Sequence, residues 1–404
     1  MDRRGPAWAA SGAMILTGRP EGPPLGAPPG LIDLMDRAAS MVNRDTAPAA
    51  LKDGLALLGE RAALSGLTRR GAVSCGGSTH LVPARDGWVA VSLARPEDVA
   101  ALPAWLGRDL PGGDPWPAVY AAAATLSAAD LDERAAWLGL PFAAVGSVAP
   151  CRGDVFDLPV EAACLREDGR GARRLEGATV VDLSSLWAGP LCGQLLAAAG
   201  AHVVKVVSTA RPDGARRGPA PFFDLLNGAK HSVAVDLAAV AGRCDFARLI
   251  GAADVVIESA RPRALAQMGI DVEAELGRAG GPCVWLSITS HGRRAERGHR
   301  VGFGDVAAAA GGLVAHDGGG PCFLADAVAD PLAGLVAAAA VGEALAAGGH
   351  WLIDAALAPM AASVAGPPVD VDGLRAEPPR ARAVAGPAPR LGADTAAVLA
   401  ELCP

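Results

Sequence analysis

Asp330 stands directly before a proline at the predicted start of an apolar helix, in the stretch "LADAVADPLAGLVAAAA". Aspartate before proline is typical of a helix N-terminus, so a structural cap is one interpretation. The apolar flanks favour a second one, because a carboxylate that is ionised yet poorly hydrated is a competent nucleophile. Asp326 in the same stretch, and Asp305 at the start of another predicted helix, are alternative candidates.

A turn of small residues follows a predicted strand, with the sequence Trp187-Ala188-Gly189-Pro190. Ala188 and Gly189 let a ligand approach the backbone closely. Free N–H groups at the start of the following helix suit a phosphate or a thioester oxygen. The dinucleotide fingerprint G-x-G-x-x-G is absent, so the turn predicts a ligand other than NAD, or else a simple strand–helix connection.

Basic residues follow the next predicted strands, and they suit a polyphosphate. Lys205 lies at a strand end, Arg211 begins the stretch "RPDGARR", and Lys230 follows in "NGAKHSVAVDL". The chain has 36 lysines and arginines, but only three are lysines, the third being Lys52. This scarcity favours a functional role for Lys205 and Lys230, whereas a solvated basic loop is the alternative for each single arginine.

The length, charge and composition of the chain limit the kinds of protein and partner that we expect. The 404 residues suffice for two or three domains. The net charge of −7 disfavours nucleic acid as a partner, and no uncharged apolar run reaches the length of a membrane-spanning helix. Eight scattered cysteines without C-x-x-C, and histidines without metal-ligand spacing, predict neither disulfides nor a metal site. We therefore expect a cytoplasmic location and no membrane partner.

The chain divides into four predicted parts. Residues 1–150 read as a small α+β domain, 151–173 as a polar linker, 174–364 as a larger α/β domain, and 365–404 as an extended Pro/Ala-rich tail that ends in a short helix. Within the larger domain, apolar runs of strand length alternate with helical stretches; the runs are 179–182, 203–207, 232–236, 254–257 and 283–288. This alternation predicts a mostly parallel sheet flanked by helices, so the predicted fold class is α/β.

The candidate residues follow the strands of this sheet. Ser184 to Pro190 come after the first strand, and Glu258 to Pro262 come after the strand "DVVIE". In open parallel sheets, ligands bind beyond the carboxyl ends of the strands. We therefore expect both segments at one ligand-binding edge.

The ordered series "LEGATVVDLSSLWAGPLCGQLLAAAGAHVVKV", "FFDLLNGAKHSVAVDL", "ADVVIESARPRALAQMGID" and "VWLSITSHG" resembles the class III CoA-transferase family. The resemblance covers about 174–360 and extends to the tail segment "PAPRLGADTAAVLAEL". It implies a Rossmann-like domain that binds CoA, a homodimer, and acyl-CoA and carboxylic acid substrates without a permanently bound cofactor.

The resemblance also implies particular site residues. Its transferases carry a nucleophilic aspartate in the pattern D-x-x-[AT]-G, which here is Asp330 to Gly334. Asp330 is thereby preferred to its two rivals. The CoA contacts that the resemblance implies are Ala188, Gly189, Lys230 and Arg261, with Lys205 or Arg211 near the phosphates.

Two features depart from the family pattern. About 170 residues precede the Rossmann-like unit, and they resemble the family's later segment, including a glycine loop at Gly76-Gly77. Ser259-Ala260 stands where the family usually has Asn-Phe.

In the racemase branch of the family, a histidine beside an aspartate serves as a base. This chain has Gly304-Asp305 at that place, and His299 could replace the missing histidine only if its loop folds back.

The expected function is the transfer of CoA from an acyl-CoA donor to a carboxylic acid, through an aspartyl anhydride and an aspartyl-CoA thioester. Alternatives are an acyl-CoA racemase or epimerase, and a non-catalytic CoA-binding paralogue.

Overall fold

The computed structural model describes residues 2–402 except 46–50, 111, 152, 154, 168–170, 261, 279 and 295–297. The α-helices are α1 (Arg4–Ala10), α2 (Pro29–Val42), α3 (Glu60–Ser65), α4 (Pro96–Leu106), α5 (Trp116–Ala123), α6 (Ala128–Leu138), α7 (Ala188–Ala198), α8 (Ala220–Asn227), α9 (Val240–Ala252), α10 (Pro262–Gln267), α11 (Val272–Gly277), α12 (Gly304–Ala310), α13 (Ala329–Ala347), α14 (Leu357–Val364) and α15 (Thr395–Leu402). The strands are β1 (Thr79–Ala84), β2 (Gly87–Ser92), β3 (Phe142–Ala144), β4 (Glu161–Arg166), β5 (Thr179–Asp182), β6 (His202–Ser208), β7 (His231–Val235), β8 (Val255–Glu258), β9 (Val284–Thr289), β10 (Ala315–Asp317), β11 (Gly320–Cys322) and β12 (His350–Ala356).

The largest sheet, within the ranges given above, has the strand order β4-β12-β9-β8-β5-β6-β7. Its neighbouring strands are parallel except at one edge, where β4 runs antiparallel to β12. The inner strands are rich in valine and buried on both faces, as in β8, because helices cover both faces of a parallel sheet. The predicted α/β fold class is confirmed.

Five strands of this sheet, β5 to β9, were expected from the sequence, and two were not. Strand β12 follows the helix α13 after a short turn. Its apolar run is interrupted because the strand contains a histidine and an aspartate. Strand β4 alternates between exposed and half-buried residues, as suits a sheet edge. Because β4 falls within residues 151–173, the structure differs from the predicted linker there.

The chain reverses its direction of travel across the sheet next to β5. Strands β6 and β7 follow β5 on one side, and the chain then returns to place β8 on the other side of β5. Such a switch point opens a crevice at the carboxyl ends of the two strands that flank it. Here those ends are Asp182 and Glu258.

The helix α13 forms the centre of the hydrophobic core. It packs against α7 and α2, and its alanine, leucine and valine residues are buried around most of its circumference. Its 19 residues are long and apolar enough to span a membrane, but 78% of its most apolar window is buried within the protein. Burial inside the fold thus accounts for its composition.

The described residues among the first 150 contribute to more than one hydrophobic core. The antiparallel sheet β1-β2-β3 packs with α4, α5 and α6 around a core that includes Trp105 and Phe142. In contrast, apolar residues of α1 and α2, such as Trp8 and Met35, share the core of the large sheet. The structure therefore divides this region differently from the single predicted domain, because the apolar face of α2 is covered by α13.

Candidate active site

A cavity of about 230 Å³ lies at the switch point of the large sheet. The turn after β5, the residues after β8 and the residues after β9 form one wall, and the loop before α12 forms another. Its lining residues include Arg95, Ser185 to Gly189, Ser259, Ala260, Thr289 to Gly292, Arg300 to Phe303, Asp330 and Leu357. The cavity thus lies where the sequence predicted a ligand-binding edge.

Asp330, the second residue of α13, lines the cavity. Burial raises the pKa of Asp330 to about 7, although the charge of Arg61 and the backbone of Gly304 oppose the shift. A carboxyl group with this pKa exists in both protonation states near neutral pH. Perturbed groups of this kind in a cleft are candidates for catalysis.

Gly304, the first residue of α12, packs directly against Asp330. A β-carbon added at Gly304 would lie 2.5 Å from Oδ2 of Asp330 and 2.5 Å from the carbonyl oxygen of Ala327. Both distances are too short for a real contact, so the absence of a side chain at Gly304 determines where the carboxylate lies.

Substitution of Gly304 by alanine is expected to displace the carboxylate of Asp330. Misplacement of a reacting group by about 1 Å can cost on the order of 10²-fold in rate, so we expect a loss of this size in kcat. Steady-state kinetics with an acyl-CoA donor measure it. Gly366→Ala is the matched control, because a β-carbon there meets no atom within 4 Å. Equal activity of G304A and wild type would contradict the prediction.

Two further carboxylates, Asp305 and Asp326, lie close to Asp330. Asp326 is fully buried and pairs with Arg61 of α3: Nε of Arg61 is 2.8 Å from Oδ2, and Nη2 is 2.5 Å from Oδ1. Burial, reinforced by the charge of Asp326, raises the pKa of Asp305 to about 7. Sequence reasoning named both carboxylates but missed Arg61, because nothing in the sequence shows that residues 61 and 326 meet.

The structure places Lys205 and Lys230 away from the cavity, which differs from their predicted role in binding CoA. Lys230 is buried: its Nζ is 2.8 Å from Oδ2 of Asp182 and donates to the carbonyl oxygen of Pro190 at 2.8 Å. Burial opposes ionisation of Asp182, but the charges of Lys230 and Lys205 outweigh it and lower the pKa of Asp182 to about 2.

Lys205 supports the same turn from another side. Its Nζ donates to the carbonyl oxygen of Ser184 at 2.8 Å and lies 3.1 Å from Oδ2 of Asp213. Asp213 in turn accepts from the backbone N–H of Leu186 at 3.1 Å. The two retained lysines therefore hold the turn that lines the cavity, and both are too buried to reach a phosphate there.

The other predicted CoA contacts have different positions. Ala188 and Gly189 line the cavity. A β-carbon at Gly189 would lie 2.2 Å from Oγ of Ser184, so this glycine also allows α7 to pack against the turn. Arg211 is exposed in the loop after β6 and does not line the cavity, and Arg261 lies outside the described residues.

Sequence reasoning missed several polar residues of the cavity wall, namely Arg95, Ser290, His291 and Arg300. The positions of Ser290 and His291 directly after β9 gave a usable signal, because the ends of neighbouring parallel strands converge. Arg300 comes from the loop before α12, and Nη1 and Nη2 lie 2.5 and 2.6 Å from the carboxylate oxygens of Asp132. His299, by contrast, is exposed and outside the wall.

Backbone strain and unpaired polar atoms are found around the same cavity. Leu186, Ala325 and Ala327 have φ values of 70°, 53° and 46°, in the left-handed region that side chains disfavour. Nε1 of Trp187 and Oγ of Ser290 are buried and have no hydrogen-bond partner among the residues that the structure describes. Both features are typical of sites that await a ligand.

A sequence profile described as CoA-transferase family III matches residues 175–395, which is more than half of the chain. The chain belongs to CoA-transferase family III. The matched segment contains Asp330 and most of the cavity wall. Arg61 and Arg95 come from the part of this family III protein that precedes it.

Curated relatives of this family III protein include two enzymes named for succinyl-CoA. It is 31% identical to succinyl-CoA–D-citramalate CoA-transferase of Chloroflexus aurantiacus, over 37% of this chain and 39% of that protein. It is 30% identical to mouse succinyl-CoA:glutarate CoA-transferase, over 37% and 36%. A solved CAIB/BAIF family protein from Brucella suis shares 30% identity with a TM-score of 0.43, over 48% of this chain and 55% of that one. The matches span less than half the length of these two curated relatives.

Proposed function

We propose that the protein transfers CoA from an acyl-CoA donor to a carboxylic acid acceptor. The observation that carries the proposal is that Asp330 lines the switch-point cavity of a family III chain. A non-catalytic paralogue is disfavoured by the same observation, because a merely structural helix cap would not need to face a cavity.

The first half-reaction begins at Asp330. Its ionised carboxylate attacks the thioester carbonyl of the donor, the C–S bond breaks, and a mixed anhydride and CoA thiolate result. The thiolate then attacks the aspartyl carbonyl of the anhydride. This step releases the donor's carboxylate and leaves CoA as a thioester on Asp330.

The second half-reaction reverses these steps with the acceptor. Its carboxylate attacks the aspartyl thioester, which gives a new anhydride and CoA thiolate. The thiolate attacks the acceptor's carbonyl, forms the new acyl-CoA, and regenerates the carboxylate of Asp330. Neither half-reaction consumes an oxidant or a reductant.

Each attack places negative charge on a carbonyl oxygen, and the cavity offers donors for it. The helix α7 starts at the wall, and no side chain of the described residues caps it, so the N–H groups of Ala188 and Gly189 are available to a ligand. The indole N–H of Trp187 and the hydroxyl of Ser290 are further donors. The Gly76-Gly77 loop lies beside Arg61, since a β-carbon at Gly76 would be 3.5 Å from Nη2 of Arg61.

We infer that a dicarboxylic acyl-CoA is a suitable donor. Arg95 and Arg300 lie in the wall that also contains Asp330, where Arg95 is paired with Asp98 and Arg300 with Asp132. A guanidinium has five N–H donors, so each arginine can bind a second carboxylate beside its partner. The two relatives named for succinyl-CoA support the same class of donor. Succinyl-CoA is therefore the first donor to test.

Trapping with hydroxylamine tests the proposal. Incubation with succinyl-CoA and hydroxylamine should convert Asp330 into a hydroxamate, which peptide mass spectrometry detects as a change at this residue only. Omission of succinyl-CoA is the control. Hydroxylamine also cleaves thioesters directly and so releases free CoA without any enzyme. Transfer of CoA to an acceptor acid by wild type while Asp330 stays unmodified would therefore be the result that contradicts the aspartyl mechanism.

Racemisation at the α-carbon of an acyl-CoA is the second candidate. It is favoured by His291, which places an imidazole in the same wall as Asp330, so that two bases could exchange a proton. Incorporation of deuterium from solvent at the α-carbon, without exchange of CoA between acids, would support racemisation over transfer.

A further inference from the structure

Arg61 comes from α3, in the part of the chain that precedes the family-matched residues 175–395. Arg61 donates two hydrogen bonds to the carboxylate of Asp326, at 2.8 and 2.5 Å. The carboxylate of Asp326 is 0% exposed, and the side chain of Arg61 is 27% exposed. Such a paired geometry fixes the orientation of both groups.

A second contact, with the ring of Trp187, is made by the guanidinium of Arg61. Its central carbon lies 4.9 Å from the ring centroid of Trp187, the residue before α7 and a member of the cavity wall. A guanidinium over an aromatic face is a favourable cation–π contact. The position of Arg61 is therefore set by Asp326, which lies just before α13, and by Trp187 in the cavity wall.

The neighbouring residue anchors α3 to the large domain. Glu60 is buried and accepts two hydrogen bonds from the guanidinium of Arg382, at 2.7 and 2.9 Å, and one from its backbone N–H at 3.0 Å. Arg382 also donates to Gln194 of α7 at 2.5 Å. The helix that carries Arg61 is thus fixed on the same α7 whose first turn lines the cavity.

Arg61 bonds the carboxylate of Asp326 directly, and the carboxylates of Asp305 and Asp330 lie close enough to interact with its charge. Buried carboxylates at close range cannot all ionise unless a positive charge compensates them. The charge of Arg61 acts on all three, and it lowers the pKa of Asp330 against the effect of burial. The titratable groups around Asp330 or in the same cavity wall are Arg61, Cys75, Arg95, His291, Arg300, Asp305 and Asp326.

We propose that Arg61 is a positioning residue of this site, supplied from outside the family-matched segment: it holds Asp326 in an ion pair and keeps Asp330 available as the ionised carboxylate. Its importance for the reaction rests on the proposed function. Its effect on the ionisation of Asp330, however, can be measured without any substrate.

The test is a titration of the full-length protein labelled with ¹³C at the aspartate carboxyl carbons. The signal of Asp330 is assigned by its absence in D330N. In R61M the titration midpoint of Asp330 should rise by about one pH unit or more, because the compensating charge is lost and Asp326 is left unpaired. R61K retains the charge and should shift the midpoint less. D326N should lower the midpoint, because a negative charge near Asp330 is removed.

The matched control is R19M. Arg19 also belongs to the N-terminal part and pairs with an aspartate far along the chain, Asp317, at 2.8 Å, but it does not face Asp330. An unchanged midpoint in both R61M and D326N, or an equal shift in R19M, would overturn the proposal. If R61M does not fold, the direction of the shift in D326N decides, since an unchanged or raised midpoint contradicts the proposal.

Activity separates this inference from the proposed function. If wild type transfers CoA, the acidic limb of its profile of kcat/KM against pH should move upward in R61M by the same amount as the titration midpoint. If wild type transfers no CoA while the midpoint shifts as expected, the proposed function fails and the role of Arg61 stands. If wild type transfers CoA and the midpoint does not shift, the role of Arg61 fails.

Discussion

Replacement of Asp330 by asparagine is expected to lower kcat/KM for CoA transfer by at least about 10⁴-fold, the scale on which loss of a covalent nucleophile acts. Asparagine retains the shape and helix-start position of aspartate, but its amide cannot form the anhydride. The measurement is transfer from succinyl-CoA to a free acid, followed by mass spectrometry of both CoA esters. In wild type the same rate should rise as the pH increases through about 7, because burial raises the pKa of Asp330 to about 7 and the reaction needs the ionised form.

The control for this prediction is a helix-start aspartate remote from the cavity. Asp271 caps α11, and its carboxylate accepts from the N–H of Ala274 at 3.0 Å. Because asparagine is an equally good cap, D271N should retain wild-type activity and stability. Transfer by D330N at a rate similar to that of D271N would contradict the assignment of Asp330 as the nucleophile.

Replacement of Lys230 by methionine is expected to lower the free energy of unfolding by about 3–5 kcal/mol, because it leaves the buried carboxylate of Asp182 without its partner. Urea denaturation followed by circular dichroism measures the loss. The sign of its pH dependence follows from Asp182, whose pKa is lowered to about 2 in the folded protein from an ordinary 3.8. The ion pair is present between about pH 4 and about pH 8. It is lost as the pH falls through about 2, and also as the pH rises through about 8, because burial lowers the pKa of Lys230 to about 8. On the acidic side, the difference in stability between K230M and wild type should therefore shrink as the pH falls from about 4 to about 2.

Two further variants show whether the ion pair between Lys230 and Asp182 is responsible for the loss of stability. The double variant K230M/D182N removes both charges and should recover part of the lost stability. Lys52 is exposed, so K52M should unfold at the same urea concentration as wild type. A K230M protein as stable as K52M would mean that the pair contributes little to the fold.

The parallel sheet could be predicted because its strands carry their own signal. Strands β5 to β9 are short apolar runs separated by helices, and this pattern depends only on local sequence. Strands β4 and β12 were missed because their place in the sheet depends on their neighbours. A half-exposed run such as β4 becomes a strand only when β12 offers it hydrogen bonds.

The candidate site, like the sheet, could be predicted from the sequence only in part. Asp330, Ala188 and Gly189 were named from the sequence, and they do line one cavity. Lys205 and Lys230 were assigned to a ligand, but their ammonium groups donate to backbone carbonyl oxygens of the turn after β5. The assignment failed because the sequence gives the charge of a residue but not its burial. Arg61 escaped notice for a related reason: its partner Asp326 lies 265 residues away along the chain.

This separation has a consequence for how the protein is made. Contacts between residues far apart in sequence form late and slowly, because a long loop must first close. During synthesis, α3 leaves the ribosome well before its partner aspartate has been translated. The nascent chain therefore cannot assemble the three carboxylates around their arginine until the segment that carries Asp326 and Asp330 has emerged from the ribosome.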